Sequence, residues 1–126
     1  MKKIIATTNA PAAIGPYSQA IDCGSFLVTS GQVPFDPKTG EFVPGGIQEQ
    51  TRQVFRNIKA IVEAAGLTMD NVVKTTVFLQ HLSDCAAMNA VYAEFFTEGQ
   101  YPARSAVEVG ALPRGALVEI ETICVK

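Results

Sequence analysis

The chain has 126 residues, of which 48% are hydrophobic and 17% are charged, with a formal net charge of -2. This length fits a single domain over residues 1–126 that can bury a hydrophobic core without disulfides or structural metal ions. The sequence has no basic run, which argues against a nucleic-acid partner. It also has neither a signal-peptide core nor the ~20 consecutive apolar residues that span a bilayer, which argues against a membrane partner and predicts a cytoplasmic protein.

The first half of the chain predicts short strands, a loop and a helix. Strands are expected over residues 19–22 and 25–30. Residues 34–46 hold three prolines and three glycines, a composition typical of a loop. Apolar residues then recur at helical spacing over 47–65, and Gly66 stops the pattern.

The second half predicts a strand, a helix and two further strands. The β-branched segment 74–80 is a strand, and it precedes a helix that Ser83 or Asp84 can cap and that ends near Gly99. The last two strands cover residues 104–109 and 117–125.

This order of elements predicts an α+β fold, with two helices on one face of a mainly antiparallel or mixed sheet. Several strands are apolar on both faces, although the helices cover only one of them. The simplest cover for the other face is a second copy of the chain.

The three cysteines, Cys23, Cys85 and Cys124, are far apart and odd in number. They form no CxxC or Cys/His cluster, so the sequence predicts reduced, mostly buried thiols and no zinc site. Dinucleotide, Walker and HExxH motifs are missing from the sequence as well, and we expect no cofactor and no metal.

The most informative feature is an arginine and a carboxylate in two apolar strand patterns, Arg104 and Glu119. Alternate residues of a strand share a face, and on that basis we expect both side chains to point away from the helices, toward a subunit interface. A guanidinium binds a substrate carboxylate as a planar fork, while the protein carboxylate handles a proton or a water. The alternative is a plain interface ion pair or two solvated residues, and the pattern leaves open whether the two strands are neighbours.

Other candidate residues have ordinary structural explanations beside the functional one. Tyr17 follows Gly-Pro, Ser30 and Gly31 end a strand, and Asn89 lies in the second helix. On the residue pattern alone, a packed aromatic ring, a simple strand end and a solvated amide are the preferred explanations. The only histidine, His81, lacks the nucleophile elbow and oxyanion motif of a serine hydrolase.

Several blocks resemble the reactive intermediate deaminase family (RidA) over nearly the whole chain. They are Ala13–Tyr17, Thr29–Gln32, Asn57–Ile61, Val73–Leu79 and Pro102–Ser105, with Glu119–Glu121. The resemblance implies a chorismate-mutase-like fold of about six strands and a homotrimer with clefts between subunits. It also implies hydrolysis of 2-aminoacrylate, 2-iminopropanoate and 2-iminobutanoate to 2-keto acids and ammonia, which protects pyridoxal-phosphate enzymes.

The resemblance also implies roles for individual residues. The family's carboxylate-binding arginine falls on Arg104, and its water-handling glutamate falls on Glu119. Its substrate-binding cleft positions fall on Tyr17, Ser30, Gly31 and Asn89. Many active members have a cysteine where this chain has Ala106, and we expect activity to survive that difference because the mechanism does not require a thiol.

Three other functions compete with hydrolysis. A non-catalytic module could bind 2-keto acids through the same arginine. An RNA-cleaving translation inhibitor is disfavoured by the net charge of -2. A chaperone-like holdase has no specific residue to support it.

Overall fold

The computed structural model describes residues 2–126 and confirms the predicted α+β class. The two α-helices are α1 (Ile47–Ala64) and α2 (Cys85–Tyr92). The sheet strands are β1 (Lys3–Ile5), β2 (Ala20–Asp22), β3 (Phe26–Thr29), β4 (Val72–Leu79), β5 (Ala103–Glu108) and β6 (Val118–Val125).

The six strands form one mixed sheet in the order β1-β2-β3-β6-β4-β5. Every neighbouring pair is antiparallel except β4 and β5, which run parallel. The last two strands follow one another in the chain, yet β4 lies between them. Strand β5 is therefore an edge strand, and β6 lies near the middle of the sheet.

Two elements differ from the sequence prediction. Strand β1 was not predicted, because its three residues are too few to show alternation and only Ile5 is buried. Helix α2 ends at Tyr92 and a 3₁₀ turn follows, so the predicted end near Gly99 is wrong. The apolar spacing misled the prediction because Phe95 and Phe96 pack against the core from beyond the end of α2, with ring centroids 5.0 and 5.6 Å from that of Phe55.

The core fills the space between the two helices and one face of the sheet. Phe55 and Ile58 of α1 are fully buried, as are Val77 and Leu79 of β4 and Ile120 of β6. Each strand therefore contributes alternate residues to this helix-covered face, as strand geometry requires.

The opposite face, here called the open face, is covered by no helix of residues 2–126 and carries an apolar row. Strand register places four isoleucine and valine side chains side by side across it: Ile4, Ile21, Val28 and Ile123. Ile4 is 60% exposed and Ile123 is 39% exposed. Water therefore contacts an apolar surface that a globular protein normally covers. None of the helices in residues 2–126 is long and apolar enough to cross a bilayer.

The three thiols differ in accessibility, which yields a test of the core. Cys124 of β6 is fully buried, and its burial raises the pKa of the thiol to about 11. Cys23 and Cys85 are only partly buried. Because the thiolate is the reactive form, we expect iodoacetamide at pH 8 to modify Cys23 and Cys85 and to leave Cys124 intact. Peptide mass spectrometry measures this, with urea-unfolded protein as the control in which all three react. Equal labelling rates in the folded protein would show that β6 is not in the core.

Candidate functional site

Arg104 lies on edge strand β5 and points toward α2, so the prediction that it faces away from the helices is wrong. Its Nη1 donates a 2.6 Å hydrogen bond to Oδ1 of Asn89, and its Cζ lies 4.8 Å from the ring centroid of Tyr92. The alternation of side chains along a strand shows which residues of β5 share a face, but it does not show which of the two faces packs against the helices. The prediction failed here because the more apolar group, which includes Val107, lies on the open face, and Val107 is 43% exposed.

The support beneath Arg104 is rigid because it belongs to the core. Tyr92 is 5% exposed, and its hydroxyl shares a 2.7 Å hydrogen bond with the buried hydroxyl of Thr75. Burial raises the pKa of Tyr92, which remains neutral under Arg104. A cation over a tyrosine ring at a partly exposed site contributes about 0.5–1 kcal/mol. Asn89 and Tyr92 thus orient the guanidinium, and its remaining N–H donors are available to a ligand.

A cleft of about 350 Å³ opens beside this guanidinium, here called the arginine cleft. Its walls are formed by Asn89, Tyr92, Ala93, Tyr101, Pro102 and Arg104. Tyr92 and Tyr101 were not predicted as site residues. The spacing of Asn89 and Tyr92, three residues apart on one helix, was the available signal for the first of them.

Glu119 lies on the open face of β6, as predicted, and a neighbouring loop contacts it. Gln32 and Ile120 exchange backbone hydrogen bonds of 2.8 and 3.1 Å, which brings Gly31 against the Glu119 side chain. A β-carbon at Gly31 would lie 2.9 Å from Cδ of Glu119, so only glycine permits this approach. Burial raises the pKa of the half-buried Glu119 carboxyl group, and the negative charge of Glu121 adds to the effect.

Gly31 also lines a second cavity of about 310 Å³, here called the tyrosine cavity. Its lining includes Ile14, Tyr17, Gln19, Gln32, Phe35 and Arg114. The Tyr17 side chain is 50% exposed at this cavity. The predicted Ser30 lies next to Gly31 in the chain, and its hydroxyl donates a 2.5 Å hydrogen bond to the carbonyl of Ser18. Gly31 therefore lines the cavity with Tyr17 and also contacts Glu119, while the hydroxyl proton of Ser30 is already committed to the backbone.

One chain does not bring Arg104 and Glu119 together. Arg104 pairs with Thr75 of β4, whereas Glu119 pairs with Phe78 of the same strand. Two strand spacings and three residues of rise separate their Cα atoms by roughly 14 Å, and their side chains leave opposite faces of the sheet. The candidate residues thus form two separate parts, the arginine cleft with Asn89 and the tyrosine cavity with Glu119.

No group of three histidine, cysteine, aspartate or glutamate side chains in residues 2–126 is placed to hold a metal ion. The polar groups of both parts are instead those that bind and protonate an organic acid: a guanidinium, a carboxyl group with a raised pKa and a tyrosine hydroxyl.

Known proteins resemble this chain over its whole length. A family model described as Endoribonuclease L-PSP matches residues 7–126. The 2-iminobutanoate/2-iminopropanoate deaminase of Escherichia coli K12 is 56% identical over 128 residues, covering 100% of this chain and 99% of that protein. A RutC family protein of Pyrococcus horikoshii is 59% identical over 126 residues, with the same coverage.

Solved structures also match closely. Escherichia coli TdcF with bound serine superposes with a TM-score of 0.93 and 51% identity, covering 98% of both chains. RidA from an Antarctic Psychrobacter superposes with a TM-score of 0.94 and 50% identity, covering 98% of this chain and 99% of that one.

The contact between Gly31 and Glu119 can be tested with a matched pair of glycine substitutions. Gly31→Ala forces the Glu119 side chain to move, and we expect this overpacking to lower the free energy of unfolding by about 1 kcal/mol, the low end of the range because the displaced atoms end a flexible side chain. Gly110→Ala is the control, because a β-carbon there meets no atom within 4 Å. Urea denaturation provides the measurement. Adding Glu119→Ala to Gly31→Ala should restore the lost stability, and an equal loss in the double variant would show that the clash lies elsewhere.

Proposed function

The chain belongs to the Endoribonuclease L-PSP family, and from that premise we propose that it hydrolyses reactive 2-enamine and 2-imino acids to 2-keto acids and ammonia. Curated relatives at 56% identity over the full length carry the name 2-iminobutanoate/2-iminopropanoate deaminase. The observation that carries the proposal is the Arg104 guanidinium, which Asn89 and Tyr92 orient while most of its donors stay available. A small carboxylate is the ligand that such a fork binds best.

The working form in this proposal is a homotrimer with the site between subunits. Each cleft pairs the Arg104 of one subunit with the Gly31 and Glu119 of the next. Two observations support the assembly: the two parts lie too far apart within one chain, and the open face presents an uncovered apolar row. In such an assembly, one substrate contacts Arg104 of one subunit and Glu119 of the next. We further propose that the enzyme acts in the cytoplasm, where it protects pyridoxal-phosphate enzymes from 2-aminoacrylate.

Hydrolysis in this cleft begins when the enamine tautomerises to the imine. Arg104 holds the substrate carboxylate with two parallel hydrogen bonds, and the Gly31 N–H, which donates no hydrogen bond within residues 2–126, holds a second polar atom of the substrate. Glu119 takes one proton from the attacking water and passes it to the imine nitrogen, which gives a carbinolamine. It then takes the proton of the new hydroxyl group and delivers it to the amine as the C–N bond breaks, so the water supplies both protons and the products are one keto acid and one ammonia. Tyr17 and Ser30 complete the polar wall.

The environment of Glu119 suits that proton transfer. A general acid–base works best when its pKa lies near the working pH, and burial moves the pKa of Glu119 upward from the ordinary carboxylate range. General acid–base catalysis contributes ~10²–10⁴-fold in rate, and fixed orientation of the water contributes further. No covalent nucleophile is required.

Ribonuclease activity, which the family description names, is the weaker candidate for this chain. The net charge is -2 and the chain contains a single histidine, His81, which is exposed. RNA recognition usually needs a basic surface or aromatic platforms with cations beside them. A module that binds 2-keto acids without turnover remains the other alternative, and the assay below separates it from an enzyme.

The carboxylate role of Arg104 can be tested by substitution. Arg104→Ala should abolish turnover, and Arg104→Lys should lose most of it, because an ammonium group cannot form the planar fork. The imino acid is generated in situ by an amino acid oxidase, and keto acid formation is followed in competition with semicarbazide. Arg56→Ala, an exposed arginine of α1, is the matched control. Full turnover by Arg104→Ala would disprove the role, and ligand binding by the parent protein without any rate enhancement would favour the binding module.

A further inference from the structure

The tyrosine cavity carries a second guanidinium, Arg114, that the mechanism above does not use. Arg114 lies in the turn between β5 and β6, and its Cζ is 5.8 Å from the ring centroid of Phe35. Within residues 2–126 its side chain forms neither an ion pair nor a hydrogen bond, although two other ion pairs are present. This cation on the cavity wall is therefore available to a ligand.

The backbone at this position is unusual. Arg114 has φ 54° and ψ 27°, and it is the only residue other than glycine among residues 2–126 with positive φ. Such a conformation is costly for a residue with a β-carbon, and it tends to persist where a side chain has a functional role. Gly115, the next residue, also has positive φ, but glycine adopts this conformation without steric strain. The strained residue of the turn is therefore Arg114.

Two other polar side chains on the cavity wall form hydrogen bonds within the chain. The Gln19 side chain accepts from the Thr7 N–H at 2.7 Å and donates to the Pro11 carbonyl at 2.7 Å. Asp36 also lines the cavity, and its Oδ1 accepts a 2.9 Å hydrogen bond from the Lys38 N–H. Much of the remaining wall is apolar, and Gly31 connects it to Glu119.

The size of the cavity exceeds what the side chain of a small imino acid needs. The cavity of one chain has a volume of about 310 Å³, whereas 2-iminopropanoate presents a single methyl group to it. A longer side chain with a negative end would fill the cavity and meet Arg114.

We propose that Arg114 binds the distal carboxylate of the substrate, so that the cleft accepts four- and five-carbon 2-imino dicarboxylic acids. The inference rests on the proposed function: Arg104 of the neighbouring subunit holds the first carboxylate, Glu119 acts at the C=N bond, and the side chain extends into the tyrosine cavity. Arg114 is thus a specificity residue, placed to recognise charge at the far end of the substrate.

The test compares an acidic with a neutral substrate. Arg114→Asn removes the charge and keeps a residue that tolerates the left-handed backbone, Arg114→Lys keeps the charge, and Arg56→Asn removes an exposed arginine elsewhere. The substrates are the imino acids that an amino acid oxidase produces from glutamate and from alanine. We expect the ratio of kcat/KM for the acidic substrate to kcat/KM for the neutral one to fall about 10–100-fold in Arg114→Asn, the usual effect of losing a charged hydrogen bond. It should fall much less in Arg114→Lys and stay unchanged in Arg56→Asn.

An unchanged ratio in Arg114→Asn, or equal losses on both substrates, would overturn the inference. A parent protein that hydrolyses neither substrate would end the proposed function, and binding then decides the inference separately. Calorimetry should show that the parent binds 2-oxoglutarate more tightly than pyruvate and that Arg114→Asn loses this preference. A parent without the preference contradicts the role of Arg114.

Discussion

Strand β4 lies between the strand that carries Arg104 and the strand that carries Glu119, and this placement determines what one chain can do. The two functional side chains stand two strands apart and leave opposite faces of the sheet. No small organic acid spans that distance around the edge of a sheet. The same arrangement leaves an apolar row exposed on the open face, where burial against another chain would be favourable. Association with a second copy, as proposed above, would complete the site and cover the apolar row.

The arginine cleft and the surroundings of Glu119 are preorganised by different interactions. The guanidinium of Arg104 lies over the buried ring of Tyr92 and bonds to Asn89, so it loses little freedom when a carboxylate binds. Glu119 is held in a partly dry position by the backbone of Gly31, and burial disfavours its charge. In the proposed cleft, the guanidinium of the neighbouring Arg104 would lower the pKa of Glu119 and a bound substrate carboxylate would raise it, so the two effects oppose each other.

Much of the fold could be predicted from the sequence, because long periodic segments such as α1 and β6 bury one consistent face. Sequence did not determine which face of β5 meets the helices, since the two sets of alternate residues in an edge strand are both partly apolar. It did not reveal that β4 separates β5 from β6, because a seven-residue connection can join neighbours or skip a strand. The strand patterns singled out Arg104 and Glu119, and the family resemblance supplied their roles. The spacing on α2 offered a signal for Tyr92, whereas Arg114 was recognised only from its position on the wall of a cavity.

The central claim is that two chains build one site, and complementation between inactive variants tests it most directly. Arg104→Ala and Glu119→Gln are each expected to be inactive and still to assemble. Mixed by co-refolding at equal concentration, they form assemblies in which about a quarter of the clefts pair an intact arginine with an intact glutamate from the next subunit. The account predicts recovery of roughly a quarter of the parent's imino acid hydrolysis. Mixed assemblies that form and stay inactive would contradict it, because both groups would then have to come from the same chain.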